Sequence, residues 1–305
     1  MLFQRDVFIN KIFEMALKDK DIFFISADFG APALDRLREE LPEQFLHAGI
    51  SEQNMIDVAS GLALSGKKVY VYAMGPFITL RCLEQLKCSL AQMDLPVTVI
   101  SVGLGLGYAD AGPTHYITED LACLRSIVNF EVYTPSDIST VGKLAELTNI
   151  KPALRILRLD RNALEDLYDQ NILVDKGFAE LKKGDRIAIL SCGYILQRLL
   201  KNWNEVTDGT DIGLVDVFRN KPLNLEGLQP IFEKYKKIIT LEEQCLSGGF
   251  GSSILEAISD LGLGNSVKRL GLEERYYFEN GGREYLLDKF GLSNQNLKNI
   301  ILSIN

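Results

Sequence analysis

A strand, a helix and a second strand are predicted within residues 68–102, KVYVYAMGPFITLRCLEQLKCSLAQMDLPVTVISV. Apolar residues run almost without a break through 68–72 and 97–102, which predicts two buried strands. Between these runs, apolar residues recur at helical spacing over 80–93. Strands joined in this way are parallel, because the connecting helix has to cross back over the sheet. The stretch therefore predicts a parallel sheet with helices on its faces.

The same alternation extends in both directions from this unit. On the N-terminal side it predicts a helix over 7–18, a strand over 22–26 and a helix over 52–65. On the C-terminal side it predicts, among other elements, a helix over 138–149 and a strand over 153–159. These elements indicate one α/β domain with a mostly parallel sheet.

Over 162–184 the alternation of apolar strands and helices weakens and charged residues become more frequent. The alternation then restarts with a strand over 185–191. A polar, less regular stretch is typical of a connection between domains. We therefore predict an α/β fold of two doubly wound domains. The first covers 1–165, a linker covers 166–184, and a smaller domain covers 185–305.

Composition limits the classes of partner. The chain has 305 residues, of which 47% are hydrophobic and 24% charged, values typical of a soluble globular protein. A net charge of −8 argues against nucleic acid or an anionic membrane as the main partner. Five scattered cysteines indicate buried thiols in a reducing compartment. With neither a signal segment at the N-terminus nor an apolar run of membrane-spanning length, we expect a cytoplasmic protein with no membrane partner.

Ligands of open parallel sheets bind in the loops that follow the carboxyl ends of the strands. Several polar or glycine-rich segments fall at such positions, and we expect them to converge on one crevice. They are residues 26–28, 49–52, 73–77, 103–115 and 242–249.

Single residues in these segments have ordinary explanations as well as functional ones. Glu52 fits a carboxylate in a first helical turn, with Ser51 as the N-cap. Phe77 fits either core packing or a platform for a flat heteroaromatic ring. His115, on a turn fixed by Gly112 and Pro113, fits a structural or a functional histidine. The Gly-x-Gly-x-Gly run at 103–107 opens no helix directly, so it does not predict a dinucleotide site.

Taken together, four motifs resemble the C-terminal half of transketolases. The resemblance extends over essentially the whole chain, and it implies a pyrimidine-binding domain followed by the transketolase C-terminal domain. The motifs are Gly49-Ile50-Ser51-Glu52-Gln53-Asn54-Met55, Arg81 with Glu84-Gln85, Gly112-Pro113-Thr114-His115, and Glu242 to Gly251 (EEQCLSGGFG).

The resemblance implies thiamine diphosphate as cofactor and gives Glu52 a role in its activation. In the family, this glutamate hydrogen bonds to N1′ of the aminopyrimidine and favours the imino tautomer, which can take a proton from the thiazolium ring. Phe77 matches the aromatic residue that stacks on the aminopyrimidine, and Met74 stands where a second aromatic often occurs. Ile50 and Asp28 are expected beside the cofactor.

The same resemblance implies that His115 faces the substrate, but two positions depart from the family. Ala111 replaces an aspartate that reads a sugar hydroxyl, and Gly103 replaces a histidine that helps to bind the substrate phosphate. Arg161, near the family's phosphate-binding arginine, is the remaining candidate for that role, with Arg158 as an alternative and a plain surface arginine as the ordinary explanation. The sequence therefore predicts a substrate other than the usual pentose phosphates, such as a modified or nucleotide-linked sugar or another aldehyde or ketone.

The sequence has no match to the Gly-Asp-Gly…Asn motif that holds the diphosphate through Mg²⁺. The resemblance therefore implies an N-terminal transketolase subunit as partner, which would hold most of the diphosphate and the Mg²⁺. Because the family's cofactor lies between subunits, we expect a homodimer through this chain joined by two partner chains, a heterotetramer.

The expected activity is the transfer of a two-carbon ketol unit between sugar-type substrates. Two alternatives stay open. One is the β subunit of another thiamine-dependent enzyme, of the 2-oxo acid dehydrogenase or deoxyxylulose phosphate synthase type. The other is a regulatory subunit that has lost the chemistry.

Overall fold

The computed structural model describes residues 2–27, 30–168 and 172–304, which form two α/β units. The elements of the first unit are β1 (Leu2–Phe3), α1 (Gln4–Ala16), β2 (Ile22–Ser26), α2 (Asp35–Glu40), β3 (Phe45–His47), α3 (Glu52–Leu64), β4 (Lys68–Met74), α4 (Gly75–Ile78), α5 (Leu83–Gln85) continued by a π-helical segment (Leu86–Ala91), β5 (Val97–Val102), α6 (Asp120–Arg125), β6 (Glu131–Tyr133), α7 (Ile138–Ile150), β7 (Arg155–Leu159) and β8 (Ala163–Leu164).

The rest of the described chain runs through the second unit and includes one strand, Arg219–Lys221, that joins the first sheet. Its elements are β9 (Ala179–Lys182), β10 (Ile187–Ser191), α8 (Tyr194–Lys201), α9 (Trp203–Thr207), β11 (Ile212–Asp216), β12 (Arg219–Lys221), α10 (Leu225–Lys234), β13 (Lys237–Cys245), α11 (Phe250–Asp260), β14 (Ser266–Leu272), α12 (Gly282–Leu287) with a π-helical segment (Asp288–Leu292), and α13 (Asn294–Ile304).

Two mostly parallel sheets organise these elements. The first has seven strands in the order β12-β6-β7-β5-β4-β2-β3, and the second has five in the order β14-β13-β10-β11-β9. Every neighbouring pair is parallel except β12 with β6 and β11 with β9, which are antiparallel edge pairs. The predicted α/β class with two doubly wound sheets is confirmed.

Apolar side chains from both units pack into one continuous cluster. It includes Val132 and Ile156 beneath the first sheet and Val215 and Ile238 of the second. The units therefore share buried surface rather than meeting only through a linker. No helix among residues 2–27, 30–168 and 172–304 combines the length and the apolar composition that crossing a bilayer requires.

The helix predicted over 80–93 is only partly right. A short helix begins earlier, at Gly75, with Pro76 in its first turn, where the missing N–H of proline costs nothing. The Oγ1 of Thr79 donates to the carbonyl oxygen of Gly75 at 2.7 Å, and the chain leaves helical geometry there. Helical structure resumes at Leu83 and continues in the π form. The spacing of apolar residues predicted a helix in this segment, but it did not predict the break between Ile78 and Leu83.

The strands that were not predicted include β9 and β12. β9 lies inside the span predicted as a linker and forms the edge of the second sheet beside β11. β12 follows β11 and pairs with β6, so the chain returns from the second unit to complete the first sheet. The limits of the two domains at residues 165 and 185 remain predictions from the sequence.

A buried carboxylate lies where the two units meet. Asp216, at the end of β11, is fully buried and accepts hydrogen bonds from Ser136 Oγ and Tyr168 Oη, both at 2.8 Å. Ser136 Oγ in turn accepts from the backbone N–H of Gly193 at 2.7 Å. Burial raises the pKa of Asp216 to about 7, and the nearby Asp137 adds to the shift. The carboxyl group therefore binds its proton more tightly in the folded chain than in the unfolded one.

This raised pKa predicts a stability that depends on pH. The stabilisation contributed by neutral Asp216 is present at low pH and is lost as the pH rises from about 4 to about 7, because over this range the folded chain still holds a proton that the unfolded chain has already lost. We expect Asp216→Asn to flatten the fall in unfolding temperature between about pH 4 and pH 7. Thermal unfolding of both proteins across this range, with the exposed Asp260→Asn as control, measures the difference.

Glu242, whose pKa burial also raises to about 7, titrates in the wild type and in both variants, so the comparison isolates Asp216. Parallel curves for wild type and Asp216→Asn would contradict this assignment.

Candidate active site

Glu52 is the first residue of α3 and is almost fully buried, with 4% of its surface exposed. The turn before it requires a left-handed residue, which Gly49 supplies at φ +69°. Ser51 occupies the N-cap position but donates its Oγ to the carbonyl oxygen of Ala48 at 2.6 Å instead of accepting a capping bond. The helix dipole favours the carboxylate at this end of α3.

Arg81 is the charged partner of this carboxylate. Its Nη1 donates to Glu52 Oε2 at 2.7 Å, and no donor among the described residues contacts Oε1. The Arg81 guanidinium carbon also lies 4.2 Å from the centroid of the Phe77 ring. The ion pair keeps Glu52 from being an uncompensated buried charge.

A cavity of about 320 Å³ opens beside Glu52 at the carboxyl edge of the first sheet. Strands β2 and β4 end at this cavity, and the turn after β3 closes one side. Its lining residues are Ala27, Ile50, Glu52, Ala73, Met74, Phe77 and Arg81. The structure thus brings together five of the residues singled out from sequence: Ile50, Glu52, Met74, Phe77 and Arg81.

His115 lies against the same aromatic ring. The ring centroids of His115 and Phe77 are 5.5 Å apart with an interplanar angle of 75°, an edge contact. Thr114 Oγ1 and His115 Nδ1 lie 2.8 Å apart, within hydrogen-bonding distance. Half-buried on its turn, His115 keeps its imidazole at the rim of the cavity.

Arg161 lies after β7 at the same edge of the sheet and is 40% exposed. Its Nη1 donates to Asp110 Oδ1 at 2.5 Å, and this contact holds the pKa of Asp110 below its usual range. The guanidinium also lies 4.6 Å from the centroid of the Tyr108 ring. The Tyr108 ring fills the space beside Gly103, where an added Cβ would come within 2.0 Å of its Cε2. A larger residue at Gly103 would therefore require the Tyr108 ring to move.

Arg158 has a different environment. It is 1% exposed, donates to both carboxylate oxygens of Asp120 at 2.7 and 2.9 Å, and donates to Thr134 Oγ1 at 2.8 Å. All of its donor nitrogens are thus engaged inside the protein. This corrects the suggestion that Arg158 could bind substrate phosphate. Asp28 lies outside the described residues.

The Glu242 to Gly251 motif has a structural role, the capping of a helix, that the sequence did not predict. Glu242 accepts hydrogen bonds from the backbone N–H groups of Phe250 and Gly251 at 2.6 and 2.7 Å, and so caps α11. A Cβ on Gly249 would come within 2.3 Å of a Glu242 carboxylate oxygen. In the sequence, this role could have been inferred only from the position of Glu242 and Glu243, two adjacent carboxylates at the end of a hydrophobic strand.

Glu243 belongs to a buried ionic network that joins the two units. Arg283, on α12, donates to Glu243 at 2.7 Å and to both oxygens of Asp160 at 3.0 and 2.8 Å. Glu243 Oε1 also accepts from the backbone N–H of Leu106, in the glycine-rich loop, at 2.9 Å. Asp160 directly precedes Arg161. The second unit therefore fixes two segments that border the candidate site.

The residues present fit one end of thiamine diphosphate. A buried carboxylate with an open oxygen, an aromatic ring and a cavity of about 320 Å³ suit a flat ring that carries hydrogen-bonding nitrogens. In the described part of the chain, no three His, Cys, Asp or Glu side chains form a group that could hold a metal ion. Through the buried Glu52 and the ring of Phe77, the cavity fits the aminopyrimidine end.

Comparison with known proteins places this geometry in a family. The family model for the transketolase pyrimidine-binding domain matches residues 4–165, and the model for the transketolase C-terminal domain matches residues 177–297. Among curated proteins, the chain is 30% identical over 301 residues to an apulose-4-phosphate transketolase subunit of Phocaeicola vulgatus, covering 96% of both chains. It is also 30% identical to 1-deoxy-D-xylulose-5-phosphate synthase of Fusobacterium nucleatum, of which it covers 49%.

Solved structures show the same fold. A split-gene transketolase, described as an inactive beta4 tetramer, superposes with a TM-score of 0.86 at 23% identity and covers 99% of this chain and 97% of its own. The chain belongs to the transketolase family and carries its pyrimidine-binding and C-terminal domains in that order.

Proposed function

We propose that this chain is the catalytic C-terminal subunit of a thiamine-diphosphate-dependent transketolase that moves a two-carbon ketol unit between sugar-type substrates. The observation that carries the proposal is the buried Glu52 beside Phe77 in one cavity. A purely regulatory subunit has no need of a buried carboxylate that opens into a cavity. The match to a transketolase subunit over 96% of both chains supports the same assignment.

Each residue of the cavity has a proposed task toward the cofactor. When bound, thiamine diphosphate supplies the electron sink for the carbon–carbon bond that breaks. Glu52 bonds to the aminopyrimidine N1′ from a water-poor position and thereby controls the protonation of that ring. Phe77 offers its face to the aminopyrimidine, while Met74 and Ile50 exclude water from its edges. Asp28 is expected nearby.

His115 and Arg161 are the proposed substrate groups. His115, at the rim of the cavity, can donate to a substrate hydroxyl or to an oxygen that gains charge during bond cleavage. Arg161 can exchange its exposed pairing with Asp110 for a substrate phosphate, since a phosphate accepts two parallel bonds from a guanidinium. The Phocaeicola vulgatus relative is named for a phosphorylated sugar, apulose 4-phosphate, which supports a phosphorylated substrate here.

We also propose that a second kind of subunit completes the enzyme. The described residues fit the aminopyrimidine end, so the diphosphate and its Mg²⁺ would be held mainly by an N-terminal transketolase subunit. A homodimer of this chain with two such partners, a cytoplasmic heterotetramer, then forms the working assembly. The Phocaeicola vulgatus relative is itself named as one subunit of a transketolase, which supports an enzyme of two different chains.

Reconstitution tests the proposal. This chain is mixed with the subunit that carries the Gly-Asp-Gly…Asn motif, together with Mg²⁺ and thiamine diphosphate, and ketol transfer from a ketose phosphate to an aldose acceptor is followed. We expect tight cofactor binding and transfer only with both chains present. Tight binding by this chain alone would contradict the need for a partner. Condensation of pyruvate with an aldose phosphate, without ketol transfer, would favour the synthase type, which the Fusobacterium nucleatum relative represents.

A further inference from the structure

We propose that Arg81 occupies the place of the aminopyrimidine ring while the cofactor is absent, and that cofactor binding displaces it. The inference rests on the proposed function and adds a competing residue to the same cavity. In the chain without cofactor, Arg81 would keep the buried Glu52 carboxylate paired with a positive charge.

The contacts of Arg81 match those expected of the cofactor ring. Its guanidinium is flat, donates to Glu52 Oε2 at 2.7 Å and lies 4.2 Å from the centroid of Phe77. An aminopyrimidine in the proposed orientation is also flat, bonds to Glu52 and stacks on Phe77. His115 makes an edge contact with Phe77, with the two ring centroids 5.5 Å apart. Although Oε1 of Glu52 stays open, a ring stacked on the Phe77 face that the guanidinium covers would collide with Arg81, so the two flat groups compete for that face.

Burial shows which member of the ion pair can leave. The Glu52 side chain is 5% exposed, whereas that of Arg81 is 39% exposed. A buried carboxylate without a partner is costly, so Glu52 needs a donor at all times. A half-exposed guanidinium regains water easily when it swings outward. The arginine can thus act as a replaceable donor, and the glutamate cannot move.

The backbone around Arg81 allows such a movement. Arg81 lies between α4 and α5, in the interruption that begins at Thr79, and not inside a regular helix. Its backbone N–H donates to the carbonyl oxygen of Pro76 at 3.2 Å, so the main chain stays anchored if the side chain turns outward. Phe77 and Glu52 can keep their positions during the exchange.

The first test measures cofactor affinity in the reconstituted complex. Arg81→Ala removes the competitor, and we expect the dissociation constant for thiamine diphosphate to fall roughly fivefold, the upper range for a partly exposed ion pair. Lys87→Ala removes an exposed cation from the adjoining helical segment and serves as control for general attraction of the diphosphate. Titration followed by calorimetry gives both constants.

The second test uses the unfolding temperature of this chain alone, without cofactor. Arg81→Ala should lower it, because Glu52 loses its partner. Adding Glu52→Gln in the double variant should restore much of the loss, because a neutral amide needs no cation. A structural arginine that acts only through packing would give the same loss in both backgrounds.

The outcomes separate the inference from the function on which it rests. Weaker cofactor binding by Arg81→Ala would mean that Arg81 contacts the cofactor directly, and unchanged binding would mean that the two do not compete. Either result overturns the inference and leaves the transketolase assignment intact. A wild-type complex that binds no thiamine diphosphate would instead overturn the proposed function and the inference with it.

Discussion

Glu52→Gln should lower the turnover of the reconstituted enzyme by roughly 10²–10⁴-fold, the usual contribution of a positioned acid or base. Gln has nearly the same shape and can still bond to a ring nitrogen, but it cannot exchange a proton with it. Because the carboxylate is buried at the start of α3, no water can readily replace it. The loss should therefore appear in kcat more than in KM.

Two measurements separate this effect from loss of the cofactor or of the fold. Calorimetry should show that the Glu52→Gln complex still binds thiamine diphosphate. The exchange of the thiazolium C2 proton with deuterated water, followed by NMR, should be slowed along with turnover. Glu39→Gln makes the same chemical change at an exposed site on α2 and should leave both rates unchanged. Normal turnover in Glu52→Gln would contradict the catalytic assignment.

Arg283→Met should destabilise the chain by about 3–5 kcal/mol, the cost of removing one member of a buried ion pair. Arg283 is the cation shared by Asp160 and Glu243, and all three are at least nine-tenths buried. Without it, two carboxylates remain close together in a place that water reaches poorly. Met keeps much of the side-chain volume, so the loss comes from charge rather than from a cavity.

Denaturant unfolding measures this loss, with Lys201→Met as control. Lys201 and Glu165 form a pair in which both side chains are about half exposed, so removing the lysine should cost less than about 1 kcal/mol. Arg283→Lys should lie between wild type and Arg283→Met, because lysine keeps the charge but not the fork of donors. Equal stability of Arg283→Met and wild type would show that the network contributes nothing to folding.

Buried strands were the most predictable part of the fold. The strands Ile22–Ser26 and Val97–Val102 have the predicted limits because both are short, continuous apolar runs. β9 and β12 escaped prediction because they are polar edge strands. Arg219–Lys221 carries almost no apolar signal and is a strand because β6 offers it an unpaired edge. Such a strand is defined by its neighbour and not by its own side chains.

In the candidate site, too, the sequence predicted some residues correctly and could not predict certain contacts. The motif around Glu52, read with Phe77 and His115, predicted residues that the structure brings together. Sequence could not separate Arg158 from Arg161, which are three positions apart. The difference depends on Asp120, 38 residues away, which binds Arg158 inside the protein. Likewise, the contact between Arg81 and Glu52 joins the segment between α4 and α5 to the start of α3, and no local sequence pattern predicts it.

Strand β12 also limits how freely the pyrimidine-binding domain can be exchanged between members of the family. If the chain were cut after residue 165, β6 (Glu131–Tyr133) would lose its antiparallel neighbour and become a bare sheet edge. Bare edges recruit strands from other molecules and promote aggregation. A chimaera that swaps this domain should therefore take residues 219–221 from the same parent, although they lie far beyond the domain in sequence.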